Sequence, residues 1–77
     1  MIIIELYRDH RIEVKALPAS DRFNAEVRIR RTLSEQKPHI EVVSCYKLTP
    51  VLAEQTGATW AKRWVDLLVE ENAGDGN

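Results

Sequence analysis

The sequence has little of several residue types on which small functional domains often depend. Its single cysteine, Cys45, cannot form an intramolecular disulfide. Small secreted domains usually need several disulfides, so we expect a reducing, cytoplasmic setting. One glycine lies alone and two lie near the end of the chain, a distribution that gives no glycine-rich phosphate loop. No apolar run approaches the ~20 residues of a membrane span. The first residues, Met1–Ile4 followed at once by Glu5, contain no basic leader and no cleavage signal, so we expect no membrane segment and no signal peptide.

The chain also lacks an excess of charge of either sign and is poor in aromatic residues. Eleven basic and 12 acidic residues give a net charge of −1, and aromatic residues make up 6% of the sequence. Domains that bind nucleic acids usually carry a clear positive excess, because phosphate contacts supply much of their affinity. The composition as a whole therefore disfavours nucleic-acid binding, although it leaves room for a local basic patch.

The remaining pattern predicts a single α+β domain. Apolar and polar residues alternate with the period of β-strands in four segments, and the period then changes to that of a helix. The predicted strands are 2–7, 11–17, 23–32 and 39–48, and the predicted helix runs from Pro50 to about Glu71. Short connections favour antiparallel neighbours, so we expect a four-stranded β-meander with one C-terminal helix packed on one face (ββββα). The domain would span 1–71, and a disordered tail would span 72–77.

The start and the middle of the helix carry two specific signals. Thr49 followed by Pro50 is a typical helix start, with a hydroxyl cap and a proline in the first turn. Ala53, Gly57 and Ala61 recur every four residues and so stack along one side of the helix. Because a glycine inside a helix costs about 1 kcal/mol relative to alanine, we expect it to permit a close approach of the helix to the sheet.

No set of residues predicts a catalytic or metal centre. Cys45 lies in the middle of a predicted strand without a paired base, which a nucleophilic thiol would need. His10 and His39 are predicted to be exposed residues in a turn and at a strand start, without metal-ligand spacing. Three carboxylates lie among basic residues on a face that we expect to be open: Glu13, Glu26 and Glu41. We therefore expect no enzyme activity, no metal and no cofactor.

The leading functional prediction is contact with another protein. A sheet covered by one helix leaves its other face and its edges free, and such surfaces are natural interaction sites. We predict that exposed apolar residues form this partner-binding site: Ile3, Tyr7, Val43 and Cys45. A domain of this size often gains stability by self-association, so the partner could be a second copy of the chain. The protein is thus predicted to be a small interaction or assembly module whose partner is an unknown protein or, in a homodimer, a second copy of the chain.

The alternative is nucleic-acid binding by the densest basic cluster. Arginine side chains suit phosphate partners because their planar forks bind two oxygens at once. The cluster lies on and beside the third predicted strand: Arg22, Arg28, Arg30 and Arg31. Glu26 shares this strand, which favours a mixed-charge surface over a nucleic-acid site.

Two resemblances support the predicted fold. Residues 7–14, Thr49–Pro50, Ala53 and 61–66 resemble the opening hairpin and the closing helix of a loose group of small uncharacterised bacterial proteins. That resemblance implies four strands and one helix, and it implies no activity. The strand order and the helix start are also similar to HicB-like antitoxin domains, which are partner-binding modules, but the chain lacks the proline-glycine-cysteine loop expected there.

Overall fold

The chain folds into one antiparallel sheet with a single long helix across it. The structure is a computed structural model that describes residues 2–75, with side chains described through residue 71. In chain order the elements are β1 (Ile2–Tyr7), β2 (His10–Ala19), β3 (Arg22–Arg31), β4 (His39–Lys47) and α1 (Pro50–Asp75). The strands lie in the order β1-β2-β3-β4, each antiparallel to the next. The predicted ββββα meander is therefore confirmed.

Tight turns fix the register of the first two hairpins. Arg8 and Asp9 join β1 to β2, and both have positive φ, at 48° and 65°. Two-residue hairpin loops with positive φ match the right-handed twist of the strands that they connect, and aspartate tolerates this conformation. The second hairpin turns at Ser20 and Asp21, where Ser20 has a φ of 61°. These turns are short enough to hold consecutive strands side by side.

Two predicted boundaries differ from the structure. β2 does not end at Pro18, because Pro18 pairs with Phe23 and the strand continues to Ala19. The pairing of β1 with β2 reaches only Lys15, so Pro18 lies where β2 is locally an edge strand and loses no bond to β1 by lacking an N–H. The helix also continues beyond Glu71 to Asp75. Of the predicted tail, 72–75 are helical and 76–77 lie outside the described residues.

The core lies between α1 and the two central strands. Ile12, Val14, Ala25 and Val27 are fully buried on the sheet side, and Val65 is buried on the helix side. The predicted inward faces of β2 and β3 are therefore confirmed. The helix start is also as expected, since the Leu52 backbone N–H donates to Thr49 Oγ1 at 3.2 Å. Glu54, by contrast, is only 2% exposed, although the apolar stripe alone would leave it outside the core.

Gly57 marks the closest approach of α1 to the sheet. A β-carbon at this position would lie 2.7 Å from Ala25 Cβ and 2.7 Å from Val14 Cγ1. Real β-carbons do not approach neighbours that closely, so only glycine fits without a shift of the backbone. Ala53 and Ala61, one turn before and one turn after, are also fully buried. The expected reason for the mid-helix glycine is confirmed.

One helix does not cover the whole sheet. With its side chains a helix is about 10 Å across, whereas four strands about 4.8 Å apart form a wider layer. Accordingly α1 contacts β2 and β3 most extensively and β1 least. The inward residues of β1, such as Ile3 and Tyr7, are half-buried, and those of β2 and β3 are largely buried.

Replacing Gly57 by alanine tests the close approach. Alanine gains about 1 kcal/mol of helix propensity, but an added methyl group in a tight core costs about 1–3 kcal/mol. Because Ala25 has no side-chain rotamer through which it could yield, we expect Gly57→Ala to lower the free energy of unfolding by roughly 1 kcal/mol. Urea denaturation measures the change. Thr59→Ala, an exposed site in the same helix, is the matched control and should not destabilise; equal stability of both variants would contradict the close approach.

Candidate functional site

Among the described residues no second helix or sheet covers the sheet face opposite α1, and we call it the outer face. Its side chains form rows that cross the four strands. One row runs Ile2–Lys15–Glu26–Val42, and the next runs Ile4–Glu13–Arg28–Ile40. A third begins Leu6–Arg11–Arg30. Apolar residues therefore lie on both edge strands of the outer face, and charged residues lie on the two central strands.

The charged centre of the outer face is largely paired within itself. Arg11 Nη2 lies 3.1 Å from Glu13 Oε1, and Lys15 Nζ lies 3.9 Å from Glu26 Oε1. These side chains are substantially exposed, so each pair contributes little to stability. Arg28 and Arg30 take part in neither pair, so the centre keeps an excess of positive charge. The apolar side chains lie at the two edges of this face, outside the charged centre.

The four residues predicted as an exposed apolar site lie on the other side of the sheet. Ile3, Tyr7, Val43 and Cys45 are half-buried and pack against the core. Their predicted exposure is thus wrong, because alternation on β1 and β4 turns these residues toward α1. Cys45 Sγ lies 3.6 Å from the backbone carbonyl oxygen of Phe23, to which the thiol donates. Whether these residues bind a partner stays a prediction.

The exposed apolar residues that sequence reasoning missed are their neighbours along the same strands. Ile2 and Ile4 are each 56% exposed and Leu6 is 73% exposed on β1. Ile40 and Val42 are exposed on β4. The runs 2–4 and 40–43 place apolar residues on both faces of a strand, and this double-sided pattern was the available signal.

The two edges of the sheet differ in how they are protected. The β3–β4 pairing is interrupted between Phe23 and Ala25, and Tyr46 has a φ of 48°. Such irregularities interfere with the addition of another strand. The register between β1 and β2 is regular along the whole of β1. Glu5, the one acidic residue of β1, points toward the helix and is paired with Lys62.

The predicted arginine cluster is divided among three places. Arg28 and Arg30 lie on the outer face, and Arg30 Nη2 donates to the Ser34 carbonyl oxygen at 3.4 Å. Arg22 begins β3, at the opposite end of the strand from Arg31. Arg31 lines a groove on the helix side of the sheet. The four side chains therefore do not form one continuous patch.

That groove lies at the end of the sheet, and both histidines border it. It is bounded by the β1–β2 turn, the start of β4, the preceding loop and the C-terminal half of α1. His10 is only 7% exposed, so its predicted exposure is wrong. His10 Nδ1 lies 2.9 Å from the Arg8 carbonyl oxygen, to which it donates. His39 is half-buried and stacks on Trp64, with ring centroids 4.7 Å apart and an interplanar angle of 11°.

A small polar network links the end of β1 to the helix beside this groove. The Tyr7 hydroxyl donates to Asp66 Oδ1 at 2.8 Å, and Arg8 Nη1 donates to the same oxygen at 2.7 Å. The bond from Arg8, followed by the bond from Tyr7, lowers the pKa of Asp66. The same contact with Asp66 raises the pKa of Tyr7. Asp66 therefore holds the β1–β2 turn against α1 in its ionised form.

Other features of the described chain give no further site. Across residues 2–75, the helix is not apolar enough along its length to cross a membrane. In the same part of the chain, no three histidine, cysteine, aspartate or glutamate residues group as metal ligands. Comparison of the chain with known proteins identifies no relative, since no family model, curated protein or solved structure matches it. The resemblance to HicB-like antitoxin domains accordingly stays a prediction.

The Asp66 network predicts a pH-dependent contribution to stability. Because the pKa of Asp66 is lower in the folded state, its contribution is present above the unfolded pKa of about 3.9 and is lost as the pH falls through the folded value. We expect Asp66→Asn to be less stable than the unchanged protein near neutral pH. The two should converge below about pH 4, as measured by urea midpoints across this range.

Tyr7→Phe is the matched comparison for this test. It removes one donor and keeps both the carboxylate and Arg8, so its loss of stability at neutral pH should be smaller than that of Asp66→Asn. A stability difference between Asp66→Asn and the unchanged protein that stays constant down to low pH would contradict the network.

Proposed function

We propose that this chain is a small non-enzymatic assembly module that pairs with a second copy of itself along β1. The observation that carries the proposal is the combination of a regular edge strand and three exposed apolar side chains on it: Ile2, Ile4 and Leu6. An edge strand presents unpaired backbone N–H and C=O groups, which another strand can pair. Addition of a strand to such an edge is a recurring mode of protein recognition.

The sequence of β1 is suited to pairing with itself. In an antiparallel pair centred on Ile4, Ile4 faces its own copy, Ile2 faces Leu6, and Ile3 faces Glu5. Like charges directly opposite each other are destabilising, and this register places no charged residue opposite another of the same sign. The contact would be isologous, as in most homodimers. Its product would be a continuous eight-stranded sheet with six apolar side chains side by side on the outer face.

The features of β1 also favour it over β4 as the pairing edge. Natural edge strands are commonly protected by charges, prolines or bulges. On β1 the charge of Glu5 is paired with Lys62, and the outer face of the strand is apolar. On β4 the irregular pairing near Tyr46 interrupts the edge. Self-association would also add buried area to a chain too short for a large core.

The absence of catalysis and a cytoplasmic location are parts of the same proposal. The single thiol donates to a backbone carbonyl oxygen and is half-buried, which does not favour a nucleophilic role. A lone cysteine without a disulfide partner is typical of a reducing compartment. Both points support an intracellular module that acts through protein–protein contacts.

Replacing Ile4 by lysine tests the assembly. We expect the unchanged protein to move from monomer to dimer as its concentration rises in sedimentation equilibrium. Burial of an isoleucine contributes about 1.5–3 kcal/mol and each dimer contains two copies, so Ile4→Lys should weaken dimerisation by roughly 100-fold or more.

Leu67→Lys is the matched control, because Leu67 is similarly exposed but lies on the helix. This variant should dimerise like the unchanged protein. A protein that stays monomeric at high concentration overturns self-pairing, and a dimer equally weakened by both substitutions places the contact elsewhere.

A second candidate, nucleic-acid binding by the outer face, is favoured by one observation. Arg11 and Arg30 lie directly opposite each other on neighbouring strands, with Arg28 two residues before Arg30. Two like charges opposite each other repel. A phosphate bound between the two arginines would offset that repulsion.

This candidate has its own test. If the outer face binds nucleic acid, affinity for a single-stranded oligonucleotide should fall steeply with salt, and Arg28→Ala together with Arg30→Ala should remove it. Arg22→Ala, at the far end of β3, is the control and should retain most of the affinity. Binding that is insensitive to salt or to both central substitutions would reject this candidate.

A further inference from the structure

The groove beside Trp64 has the size of a ligand site. Its volume is about 750 Å³, within the range of about 300–1,000 Å³ that is usual for small-molecule pockets. The loop on one side is tied to the β1–β2 turn, because the Thr32 backbone N–H and hydroxyl both donate to the Asp9 carbonyl oxygen, at 2.8 and 3.0 Å. The hydrogen bond from Arg8 to Asp66 also holds the β1–β2 turn to α1. These contacts therefore link the start of the loop, the β1–β2 turn and α1.

The charge of the groove is positive despite the net charge of the chain. Three cationic residues line it, Arg8, Arg31 and Lys37, and the only carboxylate among its lining residues is Asp9. Arg8 is already paired with Asp66. Among residues 2–71, neither Arg31 nor Lys37 takes part in a salt bridge. These two side chains supply the positive charge that a ligand can use.

The remaining surface of the groove is aromatic and apolar. Trp64 and His39 form a stacked pair on one side, and the ring of His39 is held by its contact with Glu41 Oε1 at 3.0 Å. Ile29 and Leu68 add apolar surface. Planar rings stack favourably on such aromatic side chains. The groove is therefore lined both by aromatic rings and by unpaired positive charge.

We propose that this groove binds a small phosphate monoester that carries a planar ring, the chemical class of nucleoside monophosphates. A phosphate monoester has close to two negative charges and three acceptor oxygens, which matches the two unpaired cations Arg31 and Lys37 better than a single carboxylate does. The planar ring lies against the stacked pair of His39 and Trp64. Histidine at this site contributes stacking and hydrogen bonding, and the proposal includes no chemical step.

The test is a titration of the full chain with adenosine monophosphate, followed by NMR. The two tryptophans provide an internal comparison, since Trp64 lines the groove and Trp60 does not. We expect saturable shifts of the Trp64 indole and His39 ring signals, with a dissociation constant of about 1 mM or tighter, and little change at Trp60. Inorganic phosphate and adenosine, which each carry half of the ligand, should bind roughly tenfold more weakly or worse.

Charge-removing variants separate a specific site from general attraction to a basic surface. Arg31→Ala and Lys37→Ala should each weaken binding roughly tenfold, the loss expected for one charge-assisted contact. Arg28→Ala removes the same charge from the outer face and should leave binding unchanged. Ile4→Lys, which disrupts the proposed β1 contact, should also bind normally, so this test is independent of assembly.

Four results would overturn the proposal. They are a titration without saturation, equal shifts at Trp60 and Trp64, an effect of Arg28→Ala as large as that of Arg31→Ala, and inorganic phosphate binding as tightly as adenosine monophosphate. The first three reject the groove as a phosphate site. The last rejects the planar ring as part of the ligand.

Discussion

At Gly57 the backbone of α1 lies so close to Ala25 and Val14 that a single β-carbon would not fit. This contact sets the height of the helix above β2 and β3, and the small buried residues Ala53 and Ala61 maintain it along two further turns. A helix held this low gives the central strands a fully buried inner face. Because one helix is narrower than four strands, the same contact leaves the inner faces of β1 and β4 only partly covered.

Both proposed surfaces follow from that placement. The helix protects one side of the sheet only, so the apolar side chains on the other side of β1 and β4 stay exposed, with Leu6 as the most exposed of those on β1. At the end of the sheet, Trp64 reaches His39 across the start of β4. The ring pair holds the rim of the groove at the point where the helix passes the strands. The proposed assembly along β1 and the proposed ligand binding in the groove would therefore use different parts of the molecule.

The buried face of a strand could be predicted from the sequence where the opposite face is polar. On β2 and β3 charged residues alternate with apolar ones, so the buried faces, including Val14 and Val27, were predicted correctly. On β1 and β4 apolar residues occupy both faces, and the side turned toward the helix depends on register, which sequence alone does not supply. Ile3 and Cys45 were therefore assigned to the wrong side. His10 and His39 are distant in sequence and show no metal-ligand spacing, and only the antiparallel pairing brings them to one end of the sheet.

Net charge was the least informative of the sequence properties, because it averages surfaces that the fold keeps apart. A value of −1 disfavours a nucleic-acid or phosphate ligand only if charges are evenly distributed. In the folded chain, Arg31 and Lys37 line the groove on the helix side of the sheet, whereas Glu13 and Glu26 lie on the outer face. An anion in the groove experiences the local charges most strongly, because charges beyond a Debye length of about 8 Å are largely screened in water at physiological salt. Local sorting by strand and helix, which composition cannot express, decides what each surface attracts.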